Sequence, residues 1–415
     1  LMQQIYLVGG AVRDRLLGHP AKDSDWVVTG ATPEEMVEQG FRPVGKDFPV
    51  FLHPKTSEEY ALARTERKTS KGYHGFSFNA SVEVTLEDDL QRRDLTINAL
   101  AEDSDGNIID PYKGQADIEN RILRHVSSAF AEDPVRVLRV ARFAARYHEL
   151  GFTIAEETMQ LMRSMVEAGE VDALVAERVW QETESALGED HPEVFFEVLR
   201  ECGALKVLYP EVDRLWGVPQ PEVHHPEIDT GVHTMMVLEQ ACLLSKDKEI
   251  RFAALTHDLG KGTTDKDILP HHYGHEIRGY ELLGDVCSRF KVPKRYCDLA
   301  KLNAKYHTHI HQAYELTPKK LIEVVNACDI YRKPERFEQI LLTCEADSRG
   351  RTGYEERDYP QRQFYQELAD VCRDVDVKAI IADGFTGMQV KQQLHQRRMA
   401  AVKVFRKEKL AQAEQ

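Results

Sequence analysis

The first part of the chain alternates short apolar runs with polar turns. Ile5–Val8, Trp26–Val28, Phe51–His53, Glu59–Ala63 and Asn107–Asp110 have the length and flanks of strands. Ala11–Gly18 and Thr85–Ala101 carry the wider apolar spacing of helices. From about residue 117 onward the spacing is helical, with proline breaks near Pro210, Pro219 to Pro226, Pro293, Pro334 and Pro360. The pattern predicts an α+β head and a long all-helical remainder, with a linker-like stretch between Trp216 and Pro226. No internal repeat is visible. No apolar run approaches the roughly 20 residues that cross a bilayer. The segment LMQQIYLVGG reads as a first buried strand and not as a signal peptide.

Composition adds little to this picture, and charge complicates it. The 415 residues are 42% hydrophobic and 30% charged, as in folded globular proteins. Seven cysteines, all from Cys202 onward and without a CxxC pair, fit reduced thiols in a cytoplasmic protein. A net charge of −15 argues against a broadly basic nucleic-acid binder. The basic residues are unevenly spread, however. They gather at Arg64, Arg67, Lys68 and Lys71, between Arg121 and Arg146, and between Lys391 and Lys409, so a local basic track is compatible with the acidic average.

Four segments of the head and its flank carry candidate chemistry. Leu7-Val8-Gly9-Gly10-Ala11-Val12-Arg13-Asp14 runs a strand into two glycines and a helix, where backbone N–H groups can approach phosphate. Asp23-Ser24-Asp25 precedes an apolar run; on a strand the two carboxylates share a face and call for a hard cation such as Mg²⁺. Asp94 and Asn98, four apart in a predicted helix, share a face suited to hydroxyl groups, with Arg93 beside them. After Glu132-Asp133, the residues Arg136, Arg139, Arg142 and Arg146 fall on one helical stripe, with Val137, Leu138, Val140 and Ala141 opposite. Unpaired, such a stripe expects an anionic partner. Asp133 and Arg136 together offer an acceptor and a donor fork to a base edge.

In order and spacing these segments resemble the class II nucleotidyltransferases, the family of bacterial CCA-adding enzymes and bacterial poly(A) polymerases. The resemblance implies that Asp23 and Asp25 hold catalytic Mg²⁺, that Gly10, Arg13 and Arg93 bind the incoming triphosphate, and that Asp94 and Asn98 bind its ribose. It further implies that Asp133 and Arg136 stand in for a nucleic-acid template in pairing with CTP or ATP, with Arg139 and Arg142 completing the nucleotide site. The tRNA 3′ end would be the acceptor. The loop Thr69–Gly75 matches a segment implicated in switching from C to A addition.

The second half has its own signature. Ten of the 17 histidines lie between His224 and His311. His257-Asp258 follows an apolar run, with His233 upstream and His272, His275, His307 and His311 downstream; imidazole plus carboxylate suits a transition metal. This segment resembles the HD phosphohydrolase superfamily, which implies His233, His257 and Asp258 as ligands and either Asp347 or Asp329 as the last one. It also implies phosphatase, 2′-nucleotidase and 2′,3′-cyclic phosphodiesterase activities favoured by Ni²⁺.

The expected architecture is therefore a polymerase-β-like nucleotidyltransferase head with a small mixed sheet (1–118), then a helical neck with the nucleotide-recognition helix (119–222), an HD domain (223–331) and a helical tail (332–415). The chain is expected to act in the cytoplasm as a monomer or homodimer, away from membranes. Three rival readings are a poly(A) polymerase, a phosphohydrolase whose head only binds, and a non-catalytic tRNA-binding scaffold. The first is disfavoured by the HD segment and the negative charge, the others by the intact Asp23 and Asp25.

Overall fold

In the computed structural model the residues described are 2–45, 50–68, 76–79, 81–225 and 228–415. Thr69–Gly75, singled out above, lies outside them. The chain divides into two compact units, Leu1–Leu208 and Tyr209–Gln415.

The first unit starts as β1 (Gln4–Val8), α1 (Gly10–Leu16), β2 (Asp25–Thr29), α2 (Pro33–Glu38), β3 (Arg42–Val44), β4 (Val50–Leu52) and β5 (Glu59–Leu62). A hairpin of β6 (Thr65–Lys68) and β7 (Phe76–Asn79) stands apart. Then come α3 (Leu86–Gln91), β8 (Ala101–Glu102), β9 (Ile108–Ile109) and α4 (Gly114–Asn120). The seven-stranded mixed sheet runs β3-β4-β5-β2-β1-β8-β9, with β1 antiparallel to β2 and β8, and β2 parallel to β5. Alternation along β2 sends Val27 and Val28 to opposite faces. Val27 packs with Val8, Leu90 and Ala99, and Val28 packs with Met36, Phe51 and Tyr60. Both faces are therefore apolar, and polar chemistry is left to the strand ends.

The helical part of this unit comprises α5 (Val135–Arg146), α6 (Glu156–Glu167), α7 (Ala176–Leu187), α8 (Pro192–Cys202) and α9 (Ala204–Leu208), with a short parallel pair, β10 (Ile122–Leu123) and β11 (Thr153–Ile154). The apolar side of α5, including Val137, Leu138, Val140 and Ala141, is buried, and α5 packs on α7 and α8.

One predicted helix is broken. The stretch Thr85–Ala101 forms α3 and, separately, a single 3₁₀ turn at Thr96–Asn98. Between them the backbone finds other partners: Asp94 Oδ1 accepts from Leu95 N at 2.7 Å, Thr96 N donates to Arg124 O at 2.8 Å, and Val126 N donates to Asp94 O at 3.2 Å. A local carboxylate and a neighbouring strand-like segment thus outcompete the i−4 ladder.

The second unit is all helical: α10 (Pro210–Asp213), α11 (Thr230–Leu244), α12 (Lys248–Thr256), α13 (His275–Phe290), α14 (Lys294–His311), α15 (Pro318–Ala327), α16 (Pro334–Arg349), α17 (Pro360–Arg373), α18 (Val377–Ala382) and α19 (Met388–Ala413). Val237, Ala241, Ile250, Ala254 and Ala346 form the apolar seam joining α11, α12 and α16. The long basic α19 packs on α15 and α17, with Phe364 and Phe405 ring centroids 5.2 Å apart. Among the described residues, no helix is long and apolar enough to cross a membrane.

Candidate functional site

In the first unit a cavity of about 600 Å³ opens at the strand ends. It brings together Gly10, Arg13, Asp23, Asp25, Arg93, Asp94, Asn98, Asp133, Arg136 and Arg139; Arg142 is not among its lining residues. Gly9 has φ +69°, a conformation that favours glycine, and it lets β1 turn directly into α1. Val8 pairs with Asp25 across the sheet, so the turn and the carboxylates lie side by side.

Asp25 begins β2, while Asp23 lies in the loop just ahead of it and not on the strand as expected. Burial raises the Asp25 pKa, Arg93 opposes the rise, and the charges of Asp23 and Glu58 add to it. A partly dehydrated Asp25 carboxylate with the negative charges of Asp23 and Glu58 beside it forms a donor set for a hard divalent cation. Glu58 was not anticipated. It directly precedes β5, and it accepts a hydrogen bond from Trp26 Nε1 at 3.3 Å.

The arginine stripe is not unpaired, which corrects the expectation from spacing alone. Arg139 Nε donates to Asp94 Oδ2 at 2.6 Å, and Arg142 Nε donates to Glu182 Oε2 at 2.7 Å. Arg136 is buried and donates to the carbonyls of Ala129 (2.6 Å) and Arg92. Helical spacing shows which side chains share a face but not which acids other segments bring to them. Asp94 is buried as well. Burial would raise its pKa, but Arg139, Asn98 and Arg136 hold the carboxyl far below the usual range. Asn98 Nδ2 donates to Asp94 Oδ1 at 3.1 Å and Asn98 Oδ1 accepts from Arg13 Nη1 at 2.6 Å, so the three residues form one chain. Arg13 is fixed further by Asp14 at 3.0 Å and by the faces of Phe143 and Tyr147.

Sequence reasoning missed Arg178, Lys22 and, as a lining residue, Arg146. Arg178 grips Asp133 with both terminal nitrogens, at 3.1 and 3.3 Å. On α7 it sits four residues before Glu182 and reads as half of a surface ion pair; instead each reaches across to the Asp133–Arg142 region. Eight basic and five acidic side chains line the cavity, so it is locally cationic despite the net charge of −15.

In the second unit His233 (α11), His257 and Asp258 (after α12), His275 (α13), His307 (α14) and Asp347 (α16) converge. His233 Nε2 lies 2.9 Å from Asp347 Oδ1, and His257 Nε2 lies 3.0 Å from Asp258 Oδ2 and 3.3 Å from Asp347 Oδ1. Of the two aspartates left open by the sequence, Asp347 is in this group. His272 is not, since both its nitrogens are engaged, by Thr264 Oγ1 at 2.6 Å and Pro219 O at 2.9 Å. Burial lowers the His257 pKa, but Asp258 and Asp347 override it and raise the imidazole to about 10. The same negative field would be met by a metal ion. His311 stands behind Asp347, bonded to its Oδ2 at 2.7 Å and to the Tyr359 hydroxyl at 2.7 Å. Lys261, also unanticipated, lies 3.1 Å from Asp258 Oδ2 and 2.6 Å from Gln220 Oε1.

Together the cationic cavity and the histidine–aspartate cage define a nucleotidyltransferase with an HD phosphohydrolase domain. Sequence-family profiles agree: a poly A polymerase head domain matches residues 5–124, a probable RNA- and SrmB-binding site of polymerase A matches 151–215, and an HD domain matches 230–348. A Multifunctional CCA protein of Thioalkalivibrio sulfidiphilus is 60% identical over 97% of this chain and 98% of its own. In fold, the chain is similar to the Bacillus stearothermophilus CCA-adding enzyme in complex with CTP (TM-score 0.64, 24% identity, 97% of this chain and 89% of that one). It is likewise similar to the Thermotoga maritima CCA-adding enzyme complexed with tRNA_CCA (TM-score 0.62, 18% identity, 99% and 92%). The chain belongs to the family of multifunctional CCA proteins.

Proposed function

We propose that the head adds C, C and A to tRNA 3′ ends from CTP and ATP without a nucleic-acid template, releasing pyrophosphate. The observation that carries this reading is the cavity itself, where Asp23 and Asp25 stand beside a cationic lining that includes the Asp133–Arg178 pair. Asp23 and Asp25 hold Mg²⁺, which when bound activates the 3′-hydroxyl and steadies the leaving pyrophosphate. Gly10, Arg13 and Arg93 receive the triphosphate, and the Asp94–Asn98 pair receives the ribose. Asp133 and Arg136 present acceptors and donors to the base, and Arg139 keeps Asp94 ionised. Arg142 acts from outside the cavity, by tethering α5 to Glu182.

The HD unit, in this reading, hydrolyses phosphate esters at RNA 3′ ends, with phosphatase, 2′-nucleotidase and 2′,3′-cyclic phosphodiesterase activities used in tRNA repair. His233, His257, Asp258 and Asp347 hold the metal. Their mixed imidazole and carboxylate donor set favours Ni²⁺ or another transition ion over Mg²⁺. The protein works in the cytoplasm, as a monomer or homodimer.

The test incubates the full chain with tRNA lacking its terminal CCA, Mg²⁺, and labelled CTP and ATP, separately and together. Two C and one A followed by a stop is the expected product. A long A tail would move the head to a poly(A) polymerase, and no incorporation would overturn the reading.

A further inference from the structure

Behind the head cavity lies a carboxylate that the reaction itself does not use. Asp89, on α3, is 0% exposed. A charge so fully removed from water persists only where donors and opposite charges meet it. Its Oδ1 accepts from Arg93 Nη2 at 3.3 Å, and its Oδ2 accepts from Arg64 N at 2.9 Å and Arg92 Nη2 at 3.5 Å. Helix capping does not explain it, because Thr85 and Asp88 already close the N-terminus of α3 as a reciprocal pair. Instead Asp89 reaches past the end of its own short helix, to the two arginines that follow Gln91.

Of those two, Arg93 has the more exacting position. It lines the cavity together with Gly9, Gly10 and Asp25. A Cβ on Gly9 would fall 3.1 Å from Arg93 Nη1, so the guanidinium lies against the glycine turn. Burial lowers the Arg93 pKa, and the Asp89 charge is the first influence to oppose it. On the cavity side the Arg93 charge acts on Asp25, against the upward push of burial. The guanidinium therefore stands between two carboxylates, Asp89 behind it and Asp25 in front.

Its hydrogen bonds set it apart from its neighbours. Arg13 gives Nε to Asp14 and Nη1 to Asn98, and Arg139 gives Nε to Asp94. Arg93 Nε is buried and has no hydrogen-bond partner among the described residues. A buried charged donor left open is costly, and an acceptor arriving with the ligand relieves it. Phosphate oxygens suit a guanidinium that is fixed on one edge and open on another. Without Asp89 the nearest compensation for this cation would be Asp25, where a bound metal belongs.

We propose that Asp89 is a positioning residue for nucleotide addition. It holds Arg93 by Nη2 beside the Gly9 turn, leaves Nε open to a phosphate of the incoming nucleotide, and keeps the guanidinium off Asp25. The inference deepens the reading of Arg93 as a triphosphate ligand and rests on it.

The test follows CCA addition by full-length Asp89→Asn, Asp89→Glu and Arg93→Lys, with inorganic tripolyphosphate as a competitive inhibitor. Asparagine keeps the shape and an acceptor for Arg64 N but removes the charge. In Asp89→Asn the KM values for CTP and ATP and the tripolyphosphate inhibition constant are expected to rise together by about tenfold, the loss of one charge-assisted contact. The kcat and the KM for tRNA should stay nearly unchanged, as for a lost ground-state contact to the nucleotide. Asp89→Glu, which keeps the charge, should recover most of the loss. Arg93→Lys should match Asp89→Asn, and combining the two should add little, because both remove the same contact. Unchanged constants in Asp89→Asn beside a rise in Arg93→Lys would overturn the positioning role and leave Arg93 as a phosphate ligand. No change in either variant would overturn that reading of Arg93 as well. A variant that does not fold, or one that loses kcat and melting temperature while KM and the inhibition constant hold, would make Asp89 structural and equally overturn the proposal.

Discussion

The two candidate sites hold their side chains by opposite means. In the head cavity the fixing partners are largely other side chains: Asp94 on Arg139, Asp133 on Arg178, Arg13 on Asn98 and Asp14. In the HD cage the four inward-facing imidazoles are fixed by main-chain carbonyls. A side-chain ion pair can exchange one member for a substrate phosphate, ribose or base at modest cost. A ring locked to the backbone cannot turn without losing that hydrogen bond. The first arrangement suits a site that must accept more than one nucleotide, the second a site that keeps the same ion.

The comparison would break most visibly if the two sites were not independent. Asp23→Ala is expected to lower CCA addition by at least about 10³-fold, since a metal clamp is worth several kcal/mol of barrier, and to leave phosphatase activity intact. His257→Ala is expected to do the reverse. Measuring both activities on both variants checks this, and loss of both activities in either variant would refute two separate sites.

A second test probes the cage. His311 differs from the four locked histidines in its Nδ1 partner, which is the Tyr359 hydroxyl and not a main-chain carbonyl, and burial lowers its pKa and keeps it neutral. Nε2 then carries the proton and donates to Asp347 Oδ2, orienting that carboxylate. Tyr359→Phe keeps the ring and removes the hydroxyl. Loss of a supporting partner of this kind typically costs about 10- to 100-fold in metal affinity, with little change in thermal stability of the stripped protein. An unchanged affinity, titrated with Co²⁺, would show that Asp347 needs no such support.

In the head the corresponding test is Arg178→Ala, which frees Asp133 from its bidentate partner. Selection of CTP and ATP over UTP and GTP, read as ratios of kcat/KM, is expected to fall about tenfold, while overall turnover changes less. Equal ratios would mean that Asp133 is held in place without Arg178.

What the sequence revealed follows the same division. Contiguous features were legible: Gly9-Gly10 beside a strand end, the Asp23 and Asp25 pair, and the His257-Asp258 dyad on an apolar run. The apolar face of α5 was placed correctly, since Val137, Leu138 and Val140 are indeed buried, but Arg136 of the opposite stripe is buried too. Partners drawn from elsewhere were not legible. Nothing in the spacing of Arg139 points to Asp94, 45 residues away, and nothing around Arg178 separates it from an ordinary surface arginine. The broken helix after Gln91 has the same origin, because its alternative hydrogen-bond partners come from residues 124–126. The choice between Asp329 and Asp347 required α16 to be laid against α11.

His191 gives the smallest effect and the sharpest contrast with the cage. Its two nitrogens face carboxylates instead of carbonyls, Glu193 at 2.9 Å and Glu149 at 2.7 Å. Burial lowers its pKa, but hydrogen bonds to Glu149 and Glu193 override this and raise it. A histidine between acceptors that cannot donate gains by protonation, whereas a ring whose Nδ1–H goes to a carbonyl has its Nε2 left to face a metal. The folded pKa lies above the unfolded value of about 6.5, so the stabilisation is complete below about pH 6.5 and disappears as pH rises through the folded pKa. With Glu149 well exposed, the contribution is about 0.5–1 kcal/mol. His191→Gln should therefore lower the melting temperature of the first unit by a few degrees at pH 6 and by clearly less at pH 9, as read by calorimetry. A gap of equal size at both pH values would mean that His191 acts by packing, and that its two carboxylates do not make it a cation.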